Sequence, residues 1–250
     1  SGTGPKAGGP HYLKRFLQAE PLEEELQQKT QTLAETATII APDGLQQLIK
    51  QLANSNKITP WEQHNDRTSQ LRRWIENTLD TSLINESLLS HIDSPTPPLQ
   101  MPGPTGELNV LSETPRGLIL CVSQHFKVCL KLALTALSQG NSVLMLVADK
   151  EASYVAELNV LADHLAIPIN FTRASINAKD LCYLEGFSAL SCDANQQTMR
   201  EYRIALASRK GMLIPLINEC APERYVLERH LCVDTTAAGG NASLIAAVED

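Results

Sequence analysis

Residues 118–147 read LILCVSQHFKVCLKLALTALSQGNSVLMLV and decide the fold. The runs at 118–122 and 143–147 are wholly apolar and have the length of strands that are covered on both faces. Between them, residues 126–138 are apolar nearly all round and are followed by Gly140, the residue type that most often ends a helix in a left-handed turn. We therefore predict a β-α-β unit.

The same alternation continues towards the C-terminus. The pattern predicts helices over 152–165 and 196–209, and strands over 169–173, 187–192 and 213–217. Pro215 lacks a backbone donor, which places the last strand at a sheet edge or marks its end. Strands that alternate with helices predict an α/β fold with a doubly wound, Rossmann-like parallel sheet.

The sequence before this sheet is helical in pattern. Apolar spacing predicts three helices. The first runs from Leu22 to Ile40, the second follows Asp43, which is predicted to be its N-cap, and the third runs from Thr59 to about Leu79. The basic residues of the third helix, Arg67, Arg72 and Arg73, are interpreted as a solvated face rather than an anion site. Residues 94–106 contain five prolines and predict an extended connecting strap rather than a helix.

Composition excludes several classes of function. The formal net charge of -7 gives no positive field for a nucleic acid, and no apolar run or leader pattern indicates a membrane span or secretion. We expect a cytoplasmic protein; the family resemblance described below leaves open a peripheral contact of a longer parent chain with the inner membrane. The six cysteines and six histidines show no metal-binding spacing, and Cys121, Cys129 and Cys192 are predicted to be core residues.

The predicted sheet lacks the sequence signs of catalysis. The turn after the first strand, residues 123–127, contains no glycine that would let the backbone approach a pyrophosphate. No nucleophile elbow is present, and His125 is the one histidine in a strand-to-helix turn, without an identified partner. We predict no catalytic residue, no bound cofactor and no metal ligand, with surface or packing contacts as the more ordinary role for His125.

Both ends of the chain carry longer motifs. Residues 1–13, SGTGPKAGGPHYL, resemble the end of the catalytic domain of glutamate semialdehyde (pyrroline-5-carboxylate) dehydrogenases. Residues 234–244, DTTAAGGNASL, resemble the terminal motif of the proline utilization A family, as do PGPTGE at 102–107 and PRGLILC at 115–121. The glycine-rich opening without a methionine further suggests that the chain is a fragment.

The resemblance implies a parent enzyme and a place within it. Members of that family use FAD to oxidise proline and NAD to oxidise the resulting semialdehyde to glutamate, with an internal tunnel between the two sites. The resemblance implies that this segment is not an enzyme by itself and is a degenerate domain of the aldehyde dehydrogenase superfamily that covers the tunnel. It departs from true aldehyde dehydrogenases at residues 148–151, ADKE, where those enzymes have Lys-Pro-Ser-Glu.

The resemblance also suggests boundaries and contact residues. We expect the end of the dehydrogenase domain at 1–20, a helical segment at 21–93, the strap at 94–114, the Rossmann-like domain at 115–224 and a docking flap at 225–250. Ser1 and Gly2 are expected to contact substrate only when the upstream domain is present. The flap, which would dock on the dehydrogenase domain of the same chain, comprises Leu231, Val233, Asp234, Thr235, Gly239, Gly240, Asn241, Ser243 and Leu244. The alternative is a cryptic nucleotide- or regulator-binding domain.

Overall fold

The computed structural model describes residues 9–16, 42–55, 58–78, 86–147 and 152–234. The helices are α1 (Pro42–Ala53), α2 (Ile58–Gln63), α3 (Arg67–Thr78), α4 (Glu86–Leu89), α5 (Phe126–Ser138), α6 (Ala152–His164), α7 (Ala178–Tyr183) and α8 (Gln196–Ala207). The strands are β1 (Leu99–Met101), β2 (Glu107–Pro115), β3 (Leu118–Ser123), β4 (Ser142–Val147), β5 (Ile169–Arg173), β6 (Ala189–Asp193), β7 (Leu216–Ile217) and β8 (Val226–Asp234). Short 3-10 turns lie at Tyr12–Phe16 and Pro222–Arg224.

The predicted parallel sheet is confirmed. Its strand order is β5-β4-β3-β6-β7, and every neighbouring pair is parallel. Gly140 leaves α5 with a φ of +87°, as its position after the apolar helix predicts. β7 is an edge strand, as predicted, but it is shorter than predicted. Pro215 immediately precedes β7 and has no backbone N–H to donate to the sheet. Its carbonyl accepts a hydrogen bond from the Leu190 amide at 3.0 Å.

Helices cover the sheet on both faces, because alternate residues of its central strand enter two different cores. Ile119 and Cys121 pack with α3, α5 and α6, and Leu118 and Leu120 pack with α1, α7 and α8. Cys121, Cys129 and Cys192 are buried in these cores, which confirms their prediction as packing residues. The result is a three-layer α/β/α domain.

The segment predicted as a strap contains two strands. β1 and β2 form a second, antiparallel sheet with β8 in the order β1-β2-β8. β2 and β8 pair over nine positions from Pro115 opposite Val226 to Glu107 opposite Asp234. We call these two strands the ribbon, with its base at the Pro115 end and its tip at the Glu107 end. The strap segment is extended and not helical, as predicted, but from Leu99 onwards it contains strands paired in a sheet and is not only a connector.

The helix predicted to begin at Thr59 is broken into two. It starts near the predicted capping box, but α2 ends at Gln63 and α3 begins at Arg67. Arg67 also corrects the interpretation of a solvated basic face, since it is only 8% exposed, whereas Arg72 and Arg73 are exposed. Its guanidinium donates to the carbonyl groups of four residues: Trp61, Glu62, His64 and Ser138. These bonds satisfy carbonyls at the ends of α2 and α5.

Two smaller details differ from prediction. Asp43 lies inside the first turn of α1, which begins at Pro42, and is therefore not its N-cap. Helix α7 was not predicted; it is held by a capping box in which Asn177 and Asp180 bond each other's backbone amides. The helix predicted from Leu22 to Ile40 lies outside the described residues. Within the described part of the chain, no helix combines the length and apolarity that a membrane span requires.

A buried amide joins the ribbon base to the parallel sheet. Asn141 is fully buried, and its side-chain oxygen accepts from the backbone amides of Arg116 and Gly117 at 2.8 and 3.1 Å. Its side-chain nitrogen donates to the carbonyls of Ala136 and Tyr225 at 2.9 and 3.0 Å. One side chain thus fixes the exit of β2, the end of α5 and the entry to β8.

Candidate docking ribbon and strand-end crevice

The strand order of the parallel sheet reverses between β3 and β6, and we call the carboxyl ends of these two strands the strand-end crevice. β3 and β6 are neighbours, and their following helices, α5 and α8, pack on opposite faces. This is the position at which doubly wound sheets usually bind ligands. Ser123 at the end of β3 donates to the Asp193 carboxylate at the end of β6, at 3.4 Å, and its hydroxyl accepts from the His125 amide at 3.0 Å.

The crevice has little room and no activated nucleophile among the described residues. A recess beside Ser123, Gln124 and Phe126, on the side of β4, has essentially no space that a water molecule could occupy, whereas typical ligand pockets have ~300–1,000 Å³. Burial raises the pKa of Cys129 well above its usual range. The pKa of Cys192 is raised to about 12 by burial and by the Asp193 charge. Both thiols are thus protonated at neutral pH, and a thiolate is the reactive form.

His125 lies where the sequence predicts it, at the turn between β3 and α5. It is the N-cap residue of α5, and its side chain makes no capping hydrogen bond. Its backbone amide is held by Ser123. Among the described residues, no base or acid pairs with its ring in the way that a catalytic dyad requires.

The predicted flap residues are divided by the limits of the described chain. Leu231, Val233 and Asp234 lie on β8, which is longer than the short strand predicted there. The other predicted residues, Ser1 and Gly2 at one end and Thr235, Gly239, Gly240, Asn241, Ser243 and Leu244 at the other, lie outside the described residues.

The ribbon presents an apolar patch to solvent near its tip. Leu108 is directly opposite Val233, and Val110 is directly opposite Leu231. Because directly opposed residues share a face and positions two apart alternate back to it, all four side chains lie on one side of the ribbon. Leu108, Leu231 and Val233 are 41%, 58% and 38% exposed. We call these four residues the ribbon patch.

β8 lies at the edge of the ribbon. In the described part of the chain it is the last strand of its sheet. Soluble proteins normally shorten, charge or cover such an edge. An apolar patch beside an edge strand is typical of a surface that receives another polypeptide.

The ribbon base is polar and tightly held. The Arg116 guanidinium donates to the Arg224 carbonyl at 2.6 Å, and burial together with the Arg224 charge lowers the pKa of Arg116 to about 10. Tyr225, fully buried at the start of β8, shares a 2.8 Å hydrogen bond with the Ser191 hydroxyl in β6. Sequence reasoning predicted no contact between these residues, because they are far apart in the sequence and only the fold brings them together.

Sequence comparison identifies relatives along nearly the whole chain. The bifunctional protein PutA of Escherichia coli (strain K12) is 29% identical over 253 residues, which cover 98% of this chain and 17% of that protein. The PutA protein of Rhizobium meliloti is 25% identical and covers 98% of the chain. This chain is similar in sequence to a segment of PutA over 98% of its length. No protein-family model matches it.

Comparison with solved structures identifies proteins that share the fold. A variant of proline utilization A (PutA) from Bradyrhizobium japonicum superposes with a TM-score of 0.58 at 19% identity, over 72% of this chain and 22% of that one. Betaine aldehyde dehydrogenase from Staphylococcus aureus superposes with a TM-score of 0.54 at 14% identity, over 74% and 44%. These likenesses agree with the predicted α/β fold, which both structures share with this chain. The chain spans about a sixth of the length of the curated PutA relatives, 17% to 18%.

Proposed function

We propose that this chain is the non-catalytic C-terminal part of a bifunctional enzyme of the PutA kind, which converts proline to glutamate through pyrroline-5-carboxylate and glutamate semialdehyde. In this proposal FAD and NAD belong to other parts of the parent polypeptide, which works in the cytoplasm. The segment docks on the aldehyde dehydrogenase domain of its own chain and covers the tunnel between the two active sites. Similarity to PutA proteins over 98% of the chain supports this place in the parent.

The ribbon patch is the observation that carries the docking role. Three of its side chains are more than a third exposed, although they are apolar and contiguous on one face. Burying such side chains against another domain contributes roughly 25 cal/mol for each Å² of apolar area removed from water. The flap residues from Thr235 to Leu244 follow directly from the ribbon tip, so we propose that they continue the same contact.

The chemistry of the crevice supports a non-catalytic role. Its described cysteines are protonated by burial, the recess beside Ser123 is small, and the Asp193 carboxylate lies at the end of β6 within hydrogen-bond distance of Ser123. A carboxylate beside a phosphate group is electrostatically unfavourable. We therefore propose that catalysis takes place outside this segment, with Ser1 and Gly2 contributing only as part of the upstream dehydrogenase domain.

A single charge in the ribbon patch tests the docking proposal. In the full-length enzyme, Leu231→Glu places a carboxylate at the centre of the patch, and we expect it to weaken docking because that charge would have to be buried. NADH formation is followed with proline as the substrate and, separately, with externally added semialdehyde. His230→Glu is the matched control, since it adds the same charge to the adjacent position on the opposite face of β8.

The two substrates separate the possible outcomes. A lag or loss of the proline-driven rate with normal semialdehyde oxidation supports a role in sealing the tunnel. Loss of both rates supports docking that maintains the dehydrogenase domain or its assembly. Normal rates with both substrates in Leu231→Glu, or equal losses in the His230→Glu control, contradict the docking role of the patch.

A second candidate function is binding of a nucleotide or regulator in the crevice. The observation in its favour is the position of Ser123 and Asp193 at the reversal of strand order, where ligands bind in other doubly wound sheets. Calorimetric titration with NAD, NADH and proline tests it. Saturable binding at micromolar concentration that Ser123→Ala weakens would favour this candidate, and the absence of heat would remove it.

A further inference from the structure

We propose that His11, Glu113 and Glu228 form a binding site for a divalent transition-metal ion at the ribbon base. We call these three residues the clasp. His11 precedes the 3-10 turn at Tyr12–Phe16, and the two glutamates lie on β2 and β8. The clasp lies outside the strand-end crevice and the ribbon patch, and its proposal is independent of the docking function.

The donor atoms have the spacing of a metal site. His11 Nδ1 lies 3.1 Å from Glu228 Oε1 and 3.5 Å from Glu113 Oε1, and all three donor atoms lie within 4.8 Å of one another. A tetrahedral zinc ion with bonds of about 2.0–2.1 Å has edges of about 3.3 Å between ligand atoms. The two distances from the imidazole fall on either side of that edge length, and the two carboxylate oxygens, within 4.8 Å of each other, would move to complete the site.

The charges of the clasp favour a cation. Glu113 and Glu228 are directly opposite in the antiparallel ladder, and their side chains are only 9% and 4% exposed. Like charges directly opposite one another destabilise a sheet, and burial strengthens the repulsion. A divalent ion held between the two carboxylates would remove that repulsion.

A hydrogen bond from the imidazole cannot serve both carboxylates. His11 Nδ1 carries at most one proton, and its shorter contact is with Glu228. The Glu113 carboxylate, nine-tenths buried, accepts no hydrogen bond from the described residues although it points at the same nitrogen. A metal ion can accept electron pairs from all three groups at once, with the imidazole neutral.

The ligand set indicates the class of ion. Imidazole is a ligand for zinc and other late first-row ions, whereas Mg²⁺ prefers oxygen ligands and water. Three protein ligands leave a fourth tetrahedral position for water. The bound ion would fasten residues 9–16 to the ribbon base, joining segments that are 217 positions apart in the sequence between His11 and Glu228.

Zinc binding by the full 250-residue chain tests the clasp. Cys182 and Cys232, the two exposed cysteines, are replaced by serine in every sample so that surface thiols do not take up zinc. Zinc affinity is measured by competition with a chromophoric chelator, and the thermal midpoint is followed with and without zinc. Glu113→Gln and His11→Gln remove one ligand each with little change in volume, and His230→Gln removes an exposed histidine outside the clasp as the matched control.

We expect one zinc ion for each chain, a higher thermal midpoint with zinc, and an affinity at least ~10-fold weaker in both clasp variants. The His230→Gln control should bind as the parent does, and Mg²⁺ should not compete. Absence of zinc binding would overturn the proposal and leave the clasp as an ion pair. Binding that both clasp variants retain would overturn it as well, by assigning the ion to other groups.

Discussion

The Arg67 side chain provides a direct test of how the helical segment is attached to the sheet domain. Its guanidinium donates to four carbonyl groups that belong to α2, the break after it and the end of α5. Arg67→Met keeps most of the aliphatic stem and removes every donor. We expect a large loss of stability rather than a change of fold.

The magnitude follows from which carbonyls water can reach. The carbonyl groups of Glu62 and His64 are partly exposed, so water can replace the guanidinium as their hydrogen-bond donor. The hydrogen bonds to the carbonyls of Trp61 and Ser138 are buried, so water cannot replace them. Hydrogen bonds to charged groups contribute ~1.5–3 kcal/mol each, so two unreplaced bonds amount to ~3–6 kcal/mol. Burial lowers the pKa of Arg67, which reflects a desolvation cost that the variant no longer carries. A net loss of about 3 kcal/mol is expected.

Equilibrium unfolding in urea measures this loss. Far-ultraviolet circular dichroism reports on the helices. The fluorescence of two buried tryptophans, Trp61 in α2 and Trp74 on the same helix as Arg67, reports on the packing of the helical segment against the sheet domain. Arg73→Met is the matched control, because Arg73 is exposed on the same helix and should change the free energy of unfolding by less than ~0.5 kcal/mol. The reasoning is refuted if the two variants differ by less than about 1 kcal/mol.

Two further predictions concern backbone strain and alkaline pH. In urea unfolding, Gly117→Ala should lower the free energy of unfolding by about 1–3 kcal/mol more than Gly211→Ala. Both glycines have a positive φ, but a Cβ at position 117 would lie 2.8 Å from Ser188 Oγ, whereas a Cβ at position 211 would meet open space. Equal losses in the two variants would contradict the clash with Ser188. Because the folded-state pKa of Cys192 is raised to about 12, only the unfolded chain loses this proton from about pH 9 upwards, so stability should fall as pH rises. Cys192→Ala should reduce that slope by up to ~1.4 kcal/mol per pH unit between about pH 9 and 12, and an unchanged slope, or the same reduction in the exposed Cys182→Ala control, would contradict this assignment.

The parallel sheet was predictable because its information is local. Unbroken apolar runs in β3 and β4 and the glycine after α5 lie within thirty consecutive residues, and each feature has one common structural meaning. The ribbon was not predictable in the same way. β2 alternates polar and apolar residues after a proline-rich stretch, and its partner β8 is paired through residues more than a hundred positions away.

The sites divide along the same line. The strand and helix pattern places the turn with Ser123 and His125 between β3 and α5, so its position at the carboxyl end of the sheet could be predicted. The break at Arg67 could not, because the carbonyl of Ser138 that holds it belongs to a distant helix. His11, Glu113 and Glu228 carry no spacing motif, and only the pairing of β2 with β8 brings the two glutamates to one histidine.

Asn141 holds the base of the ribbon in a fixed orientation relative to the α/β domain. Nine paired residues at about 3.3 Å each make an arm of roughly 30 Å, and both of its strands leave the domain beside the same buried amide. An arm that is clamped at one end transmits orientation as well as force. A partner that grips only the tip would therefore set the angle of the entire α/β domain, and small shifts of the partner would be felt at the sheet 30 Å away.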